Sequence, residues 1–117
     1  MGLSTHVLDT MHGTPAAGMA VALYRTEGEA ATLLQQIVLN ADGRNPKGAL
    51  LDSNQLQVGT YRLVFDVAAY FKGCGVTLPE PNFLNRVTLD FGVADLQQHY
   101  HVPLLVSPWS YATYRGS

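Results

Sequence analysis

Turn-forming clusters recur along this chain at short, even intervals, and that spacing constrains the fold more than any other feature. They stand at "HGTP" (12–15), "TEGE" (26–29), "ADGRNPKG" (41–48), "VG" (58–59), "GCG" (73–75), "PEPN" (79–82) and "SPWS" (107–110). Glycine supplies unusual backbone angles, proline lacks a ladder donor, and Asn or Asp bond their own backbone, so such clusters end regular elements. Between them lie "LSTHVLD", "MAVALYRT", "LLQQIVLN", "TYRLVFDV", "RVTLDFGV", "HYHVPLLVS" and "YATYRG", all rich in β-branched or aromatic residues. Runs this short predict seven or eight strands in an all-β sandwich or barrel. The stretch "AAYFKGCG" (68–75) breaks the alternation and predicts one or two helical turns. With no internal repeat, linker or low-complexity stretch, residues 1–117 read as one domain.

Alternation sorts side chains between the two faces of a strand. Ser4, His6 and Leu8 share one face of the first run, opposite Leu3, Thr5 and Val7. His99, His101 and Pro103 share a face opposite Tyr100, Val102 and Leu104. Both faces are half-apolar, so alternation alone does not say which is the core. Composition gives a reason. Hydrophobic residues are 47% of the chain and charged residues only 14%, against about 25% charged in an average soluble domain. A small domain this poor in charge is expected to cover part of its outer surface by self-association.

The formal net charge of −2 and the lack of a basic stripe speak against a nucleic-acid partner. No run reaches the roughly 18 apolar residues of a membrane span. The opening "MGLSTHVLDT" lacks the regions of a signal peptide, and His6 stands where a myristoylation site needs Ser or Thr. The expectation is a soluble cytoplasmic protein with no membrane partner. Cys74 is the only cysteine, which excludes an internal disulfide; the expectation is a small buried hydrophobe rather than a nucleophile.

Four histidines, His6, His12, His99 and His101, are the natural carriers of chemistry. His12 falls in a turn and is expected to face solvent. His99 and His101, two residues apart on one strand, could offer two imidazoles to zinc, with a third ligand from elsewhere, His6 being one candidate. The plainer reading is one surface histidine and one hydrogen-bonded structural histidine. A metal-free alternative uses an imidazole as general base or acid, since its ordinary pKa lies near neutrality. Water attacking an amide carbonyl also needs a cation or N–H donors for the developing oxyanion. Arg44, in a loop, is a candidate cation; its plainer reading is a solvated charge. Neither a GxSxG elbow nor a glycine-rich phosphate loop is present. Pattern alone stops at an oligomeric β-sandwich with a histidine-based site.

Several segments together resemble one family. "LSTHVLDTMHGTPAAGMAVALYR" is similar to the opening of the transthyretin superfamily, and "GTYRLVFDVAAYF" to its central strand and short helix. "HYHVPLLVSPWSYATYRGS" resembles the end of the hydrolase branch, the 5-hydroxyisourate hydrolases or transthyretin-like proteins. The terminal "YRGS", the "HVP" upstream, the "THVLD" of the first strand and the "ADGR" loop are four separate matches, spread from about Leu3 to Ser117. The superfamily also holds a hormone-carrier branch, which shares the fold without the chemistry, so the fold alone does not choose. The hydrolase set stands here as His6, Arg44, His101 and Tyr114 to Ser117.

The resemblance implies a β-sandwich of two four-stranded sheets with one short helix, assembled as a homotetramer, a dimer of dimers whose central channel holds the sites. It implies a small-molecule substrate, 5-hydroxyisourate, opened by water with no cofactor and no metal. The non-catalytic alternative is a carrier of small ligands. Under the resemblance His6 and His101 handle protons, and Arg44 holds the polar ring and its oxyanion. Ser117 orients an imidazole through its carboxylate. Tyr114 and Arg115 contact substrate, Arg115 having subunit pairing as its other reading. His99 is the weakest candidate, a support for its strand.

Overall fold

The computed structural model describes residues 2–116. In chain order its elements are β1 (Gly2–Asp9), β2 (Thr14–Pro15), β3 (Ala20–Glu27), β4 (Ala30–Val38), β5 (Leu51–Asp52), β6 (Gly59–Phe65), α1 (Val67–Gly73), β7 (Val87–Val93), β8 (Tyr100–Val106) and β9 (Tyr111–Thr113). One sheet runs β4-β3-β6-β7. The other runs β2-β1-β8-β9, with the two-residue β5 added beside β1. Each predicted run carries a strand, and the helix lies where alternation fails. The strands that turn chemistry hid are β2 and β5. Thr14–Pro15 lies within the "HGTP" turn signal yet pairs with Leu8 and Asp9, which a proline can do at a sheet edge.

Alternation now resolves into core and exterior. Leu3, Val7, Leu104 and Val106 from one sheet meet Val21, Leu23, Leu63, Phe65 and Val87 from the other in one buried cluster. Thr5 shares that inner face, and its buried hydroxyl donates to the Val102 carbonyl at 2.7 Å, so the polar group is satisfied. The opposite face of β1 and β8 holds Ser4, His6, His101 and Leu105, all half-buried. β1 and β8 run parallel over seven residue pairs, from Leu3 opposite Tyr100 to Asp9 opposite Val106. A one-residue slip would turn Leu3, Val7 and Leu104 outward, so burial of this face fixes the register. That register sets Ser4 beside His101 and His6 beside Pro103.

The helix is too short to stand alone. Asp66 at its start makes no side-chain cap, and α1 is held by burial of Val67, Ala68 and Phe71. Lys72 in its last turn complements the exposed carbonyls. Cys74 corrects the expectation of a buried thiol: it is exposed. It follows the helix end, where its N–H still reaches the Tyr70 and Phe71 carbonyls. Gly75, at φ 86°, then turns the chain by a route that a side chain would strain. Among the described residues no helix is long and apolar enough to cross a membrane.

Candidate active site

The outer face of the β1–β8 pair gathers the histidines. Ser4 Oγ lies 2.7 Å from His101 Nδ1 and 3.1 Å from His99 Nε2. His6 is two residues along β1 on the same face, and it forms an isolated antiparallel bridge with Arg44. This bridge is how a loop cation reaches a strand histidine. The turn before Arg44 is built by Asn40, whose side-chain oxygen accepts from the N–H groups of Asp42 at 2.9 Å and Arg44 at 3.1 Å. The Val7 N–H then donates to the Gly43 carbonyl at 2.9 Å. Gly43 has φ 72°, and a side-chain carbon there would fall 2.5 Å from the Val7 carbonyl oxygen. The glycine of "ADGR" is therefore required for the loop to lie against β1, and Arg44 is held beside His6 as a result.

The end of the chain closes on the same face. The Gly116 N–H donates to the His101 carbonyl at 2.8 Å, and Thr113 Oγ1 donates to the Pro103 carbonyl at 2.7 Å. Thr113 lies opposite Leu104 and Gly116 opposite His101. Continuing the alternation between them puts Tyr114 on the histidine face and Arg115 on the inner face. Tyr114 is exposed. Ser117, the expected partner of an imidazole, lies outside the described residues.

Arg115 is not brought to the histidines. Its guanidinium lies 4.4 Å from the centre of the Tyr100 ring, and donates to Gln98 Oε1 at 2.7 Å and to the His99 carbonyl at 3.2 Å. Its place is fixed by alternation, because Tyr100 and His101 point to opposite faces. His12, expected to face solvent, is partly exposed but committed: its Nδ1 lies 2.6 Å from the buried Asp9 carboxylate. His99, expected only to support its strand, reaches Ser4. Ser4 is the residue that sequence reasoning passed over. Its place on the His6 face was legible, but its contact with His101 depends on the register of two strands far apart in sequence.

The electrostatics follow from this gathering of basic groups. Burial lowers the pKa of His101, and the neighbouring Arg44, His6 and His99 lower it further. Burial likewise lowers the pKa of His6, as does Arg44, with the Asp42 backbone and carboxylate partly offsetting both. Burial and the nearby cation thus both favour the neutral form of each imidazole. A neutral imidazole can take a proton from water or lend one to a leaving nitrogen, and a guanidinium matches an oxyanion or carboxylate. The zinc alternative needed a third ligand beside His99 and His101, His6 being one candidate. Among the described residues no group of three or more His, Cys, Asp or Glu is placed to hold a metal ion, and His99 and His101 each turn a ring nitrogen to the Ser4 hydroxyl.

Residues 3–116 match the family described as "HIUase/Transthyretin family". The chain belongs to that family. Within it, a curated relative named 5-hydroxyisourate hydrolase 2 from Rhizobium meliloti (strain 1021) is 52% identical over 98% of this chain and 95% of its own length. The solved structure of 5-hydroxyisourate hydrolase from Klebsiella pneumoniae is 37% identical and superposes with a TM-score of 0.79, each chain fully covered. Sea bream transthyretin in complex with thyroxine is 29% identical with a TM-score of 0.86, covering 99% of this chain and 95% of that one. The structure of (S)-allantoin synthase gives 0.92 at 43% identity over 99% of this chain, which spans 43% of that protein's length. Relatives of both kinds share the sandwich, so the fold alone does not choose between them.

Proposed function

We propose that this chain hydrolyses 5-hydroxyisourate to 5-hydroxy-2-oxo-4-ureido-imidazoline-5-carboxylate, a step in the degradation of urate towards allantoin. The observation that carries this reading is the placing of two neutral imidazoles, His6 and His101, on one sheet face with Arg44 bridged to the first. The curated hydrolase at 52% identity supports the choice of substrate. Water adds to a ring carbonyl carbon and the adjacent C–N bond breaks. One water proton leaves through an imidazole, and the departing nitrogen receives a proton. His6 and His101 are the proton-handling pair in this reading, and Arg44 binds the ring oxygens and the developing oxyanion. Tyr114 offers its ring or hydroxyl to the substrate. Arg115 acts by securing the start of β8 rather than by contact with substrate.

The same reading includes a homotetramer. The histidine face is a sheet surface open to solvent, and a second subunit over it would turn it into a cleft. Among the described residues β7 and β9, each at one end of its sheet, have a ladder edge with no partner strand, which a second copy can extend. Light scattering on the purified protein is expected to give four times the 12.7 kDa protomer mass.

The deciding assay adds the protein to freshly generated 5-hydroxyisourate and follows its decay with and without a chelator. Accelerated decay that the chelator leaves unchanged is expected. No acceleration would favour a carrier, and chelator-sensitive acceleration a metal hydrolase.

A further inference from the structure

The Ser4 hydroxyl lies between two imidazoles, 2.7 Å from His101 Nδ1 and 3.1 Å from His99 Nε2. A hydroxyl carries one proton. If it donates to one ring it must accept from the other, so the two histidines cannot choose their tautomers independently. We infer that Ser4 is a positioning residue that fixes the working tautomer of His101 through His99: it donates to His99 Nε2, accepts from His101 Nδ1–H, and leaves His101 Nε2 unprotonated as the base.

Three features support this polarity. His101 Nε2 belongs to the ring edge away from Ser4, the edge whose Cδ2 lies against Gly116. Nε2 is the ring nitrogen that Ser4 does not engage, and an attacking water needs an unprotonated nitrogen to take its proton. Second, His99 is itself held. Arg115 donates to its carbonyl at 3.2 Å, anchored by stacking on Tyr100 at 4.4 Å and by Gln98 at 2.7 Å. Third, the neighbouring basic groups act in one direction. Arg44 and His6 face His101 from the loop and from β1, and with His99 at the start of β8 they all disfavour an imidazolium at 101. A relay gives that charge an exit. When His101 Nε2 takes a proton from water, Nδ1–H passes to Ser4 Oγ and the serine proton passes to His99 Nε2. The cation then sits on His99, and His101 keeps the new proton on Nε2, ready for the departing nitrogen. Return of the proton reverses the shift. Each transfer moves one proton and leaves the total unchanged.

This inference rests on the hydrolase reading for its purpose but not for its test. The protein labelled with ¹⁵N at histidine, without substrate, should show His101 mainly as the Nδ1–H tautomer. Ser4→Ala should shift it toward Nε2–H, and Ser4→Thr, which keeps the hydroxyl, should restore it. In turnover, Ser4→Ala should lower kcat at least about tenfold, short of the roughly 10²–10⁴ for losing the base itself. Its KM should stay within about twofold, as expected for an effect confined to the transition state. Ser4→Thr should recover most of kcat. A wild-type His101 in the Nε2–H form, or Ser4→Ala with unchanged tautomer and kcat, would overturn the inference. If the wild type fails to accelerate decay of the substrate, the hydrolase reading falls while the tautomer measurement still judges Ser4.

Discussion

Gly116 stands against the imidazole of His101: a side-chain carbon at 116 would fall 2.7 Å from His101 Cδ2 and 3.3 Å from its Cβ and Cγ. The main chain pins the same contact, since the Gly116 N–H donates to the His101 carbonyl. Glycine is therefore needed here for space. Gly116→Ala should displace the imidazole and lower kcat by about 10²-fold, in line with the cost of a misplacement near 1 Å. Thermal stability should barely change, because the contact lies at a sheet edge. Steady-state kinetics beside a melting curve would check this, and wild-type kcat would refute it.

His101→Asn keeps a polar side chain near Ser4 but removes the base. Turnover should fall by about 10²–10⁴ while the oligomer survives. Decay assays and light scattering on one preparation test both halves. Near-normal turnover would remove His101 from the proposed chemistry.

Much of this site was legible in the sequence, and the rest has a physical reason for being hidden. Alternation set His6 with Ser4 and His101 with His99, and "ADGR" marked Arg44 as a loop cation. What alternation lacks is register: nothing local says that Ser4 lies opposite His101, because β1 and β8 meet only in the folded sheet. Arg115 was legible only in part. The terminal signature left it between substrate and a neighbouring subunit, and strand geometry sends it to the inner face over Tyr100. Cys74 escaped because burial was inferred from residue type, whereas its place just past a helix end decides exposure.

Arg44 is, after burial, the second cause that lowers the pKa of both histidines, and in the proposed reaction it also holds the oxyanion. His101 and His6 have pKa values below the ordinary 6.5, first through burial and next through Arg44. Depressed values keep the bases neutral to lower pH, so kcat/KM should hold its plateau down past 6.5 and fall only below it. Arg44→Gln removes one cause of the depression. The acid limb should then move up toward 6.5, with the plateau lowered by about 10²–10³, the cost of removing an oxyanion donor. A pH series on both proteins tests this, and an unmoved limb would show that Arg44 does not act on the histidines.

Asp9 should matter for stability rather than for turnover. Its carboxylate is buried at the end of β1 and accepts from the His12 N–H at 3.0 Å and the Tyr70 hydroxyl at 2.7 Å, with His12 Nδ1 at 2.6 Å. It thus ties the first strand, the following turn and α1 together. Burial pushes its pKa up, but the His12 and Tyr70 bonds outweigh this, and the carboxyl titrates below its usual 3.8. A folded-state value below the unfolded one means the unfolded chain binds more protons between the two. The stabilisation is therefore complete above about 4 and lost as pH falls through the folded value. Asp9→Ala leaves three groups without their partner and should cost about 3 kcal/mol. Urea unfolding at fixed protomer concentration measures this, the concentration being held because self-association shifts apparent stability. The variant should also lose the wild type's decline below pH 4 that belongs to this carboxyl. Specific activity of the protein that remains folded should stay within about twofold, because Asp9 points into the core and away from the histidine face. A variant as stable as the wild type at pH 7 would show that the three bonds do not hold the strand, turn and helix together.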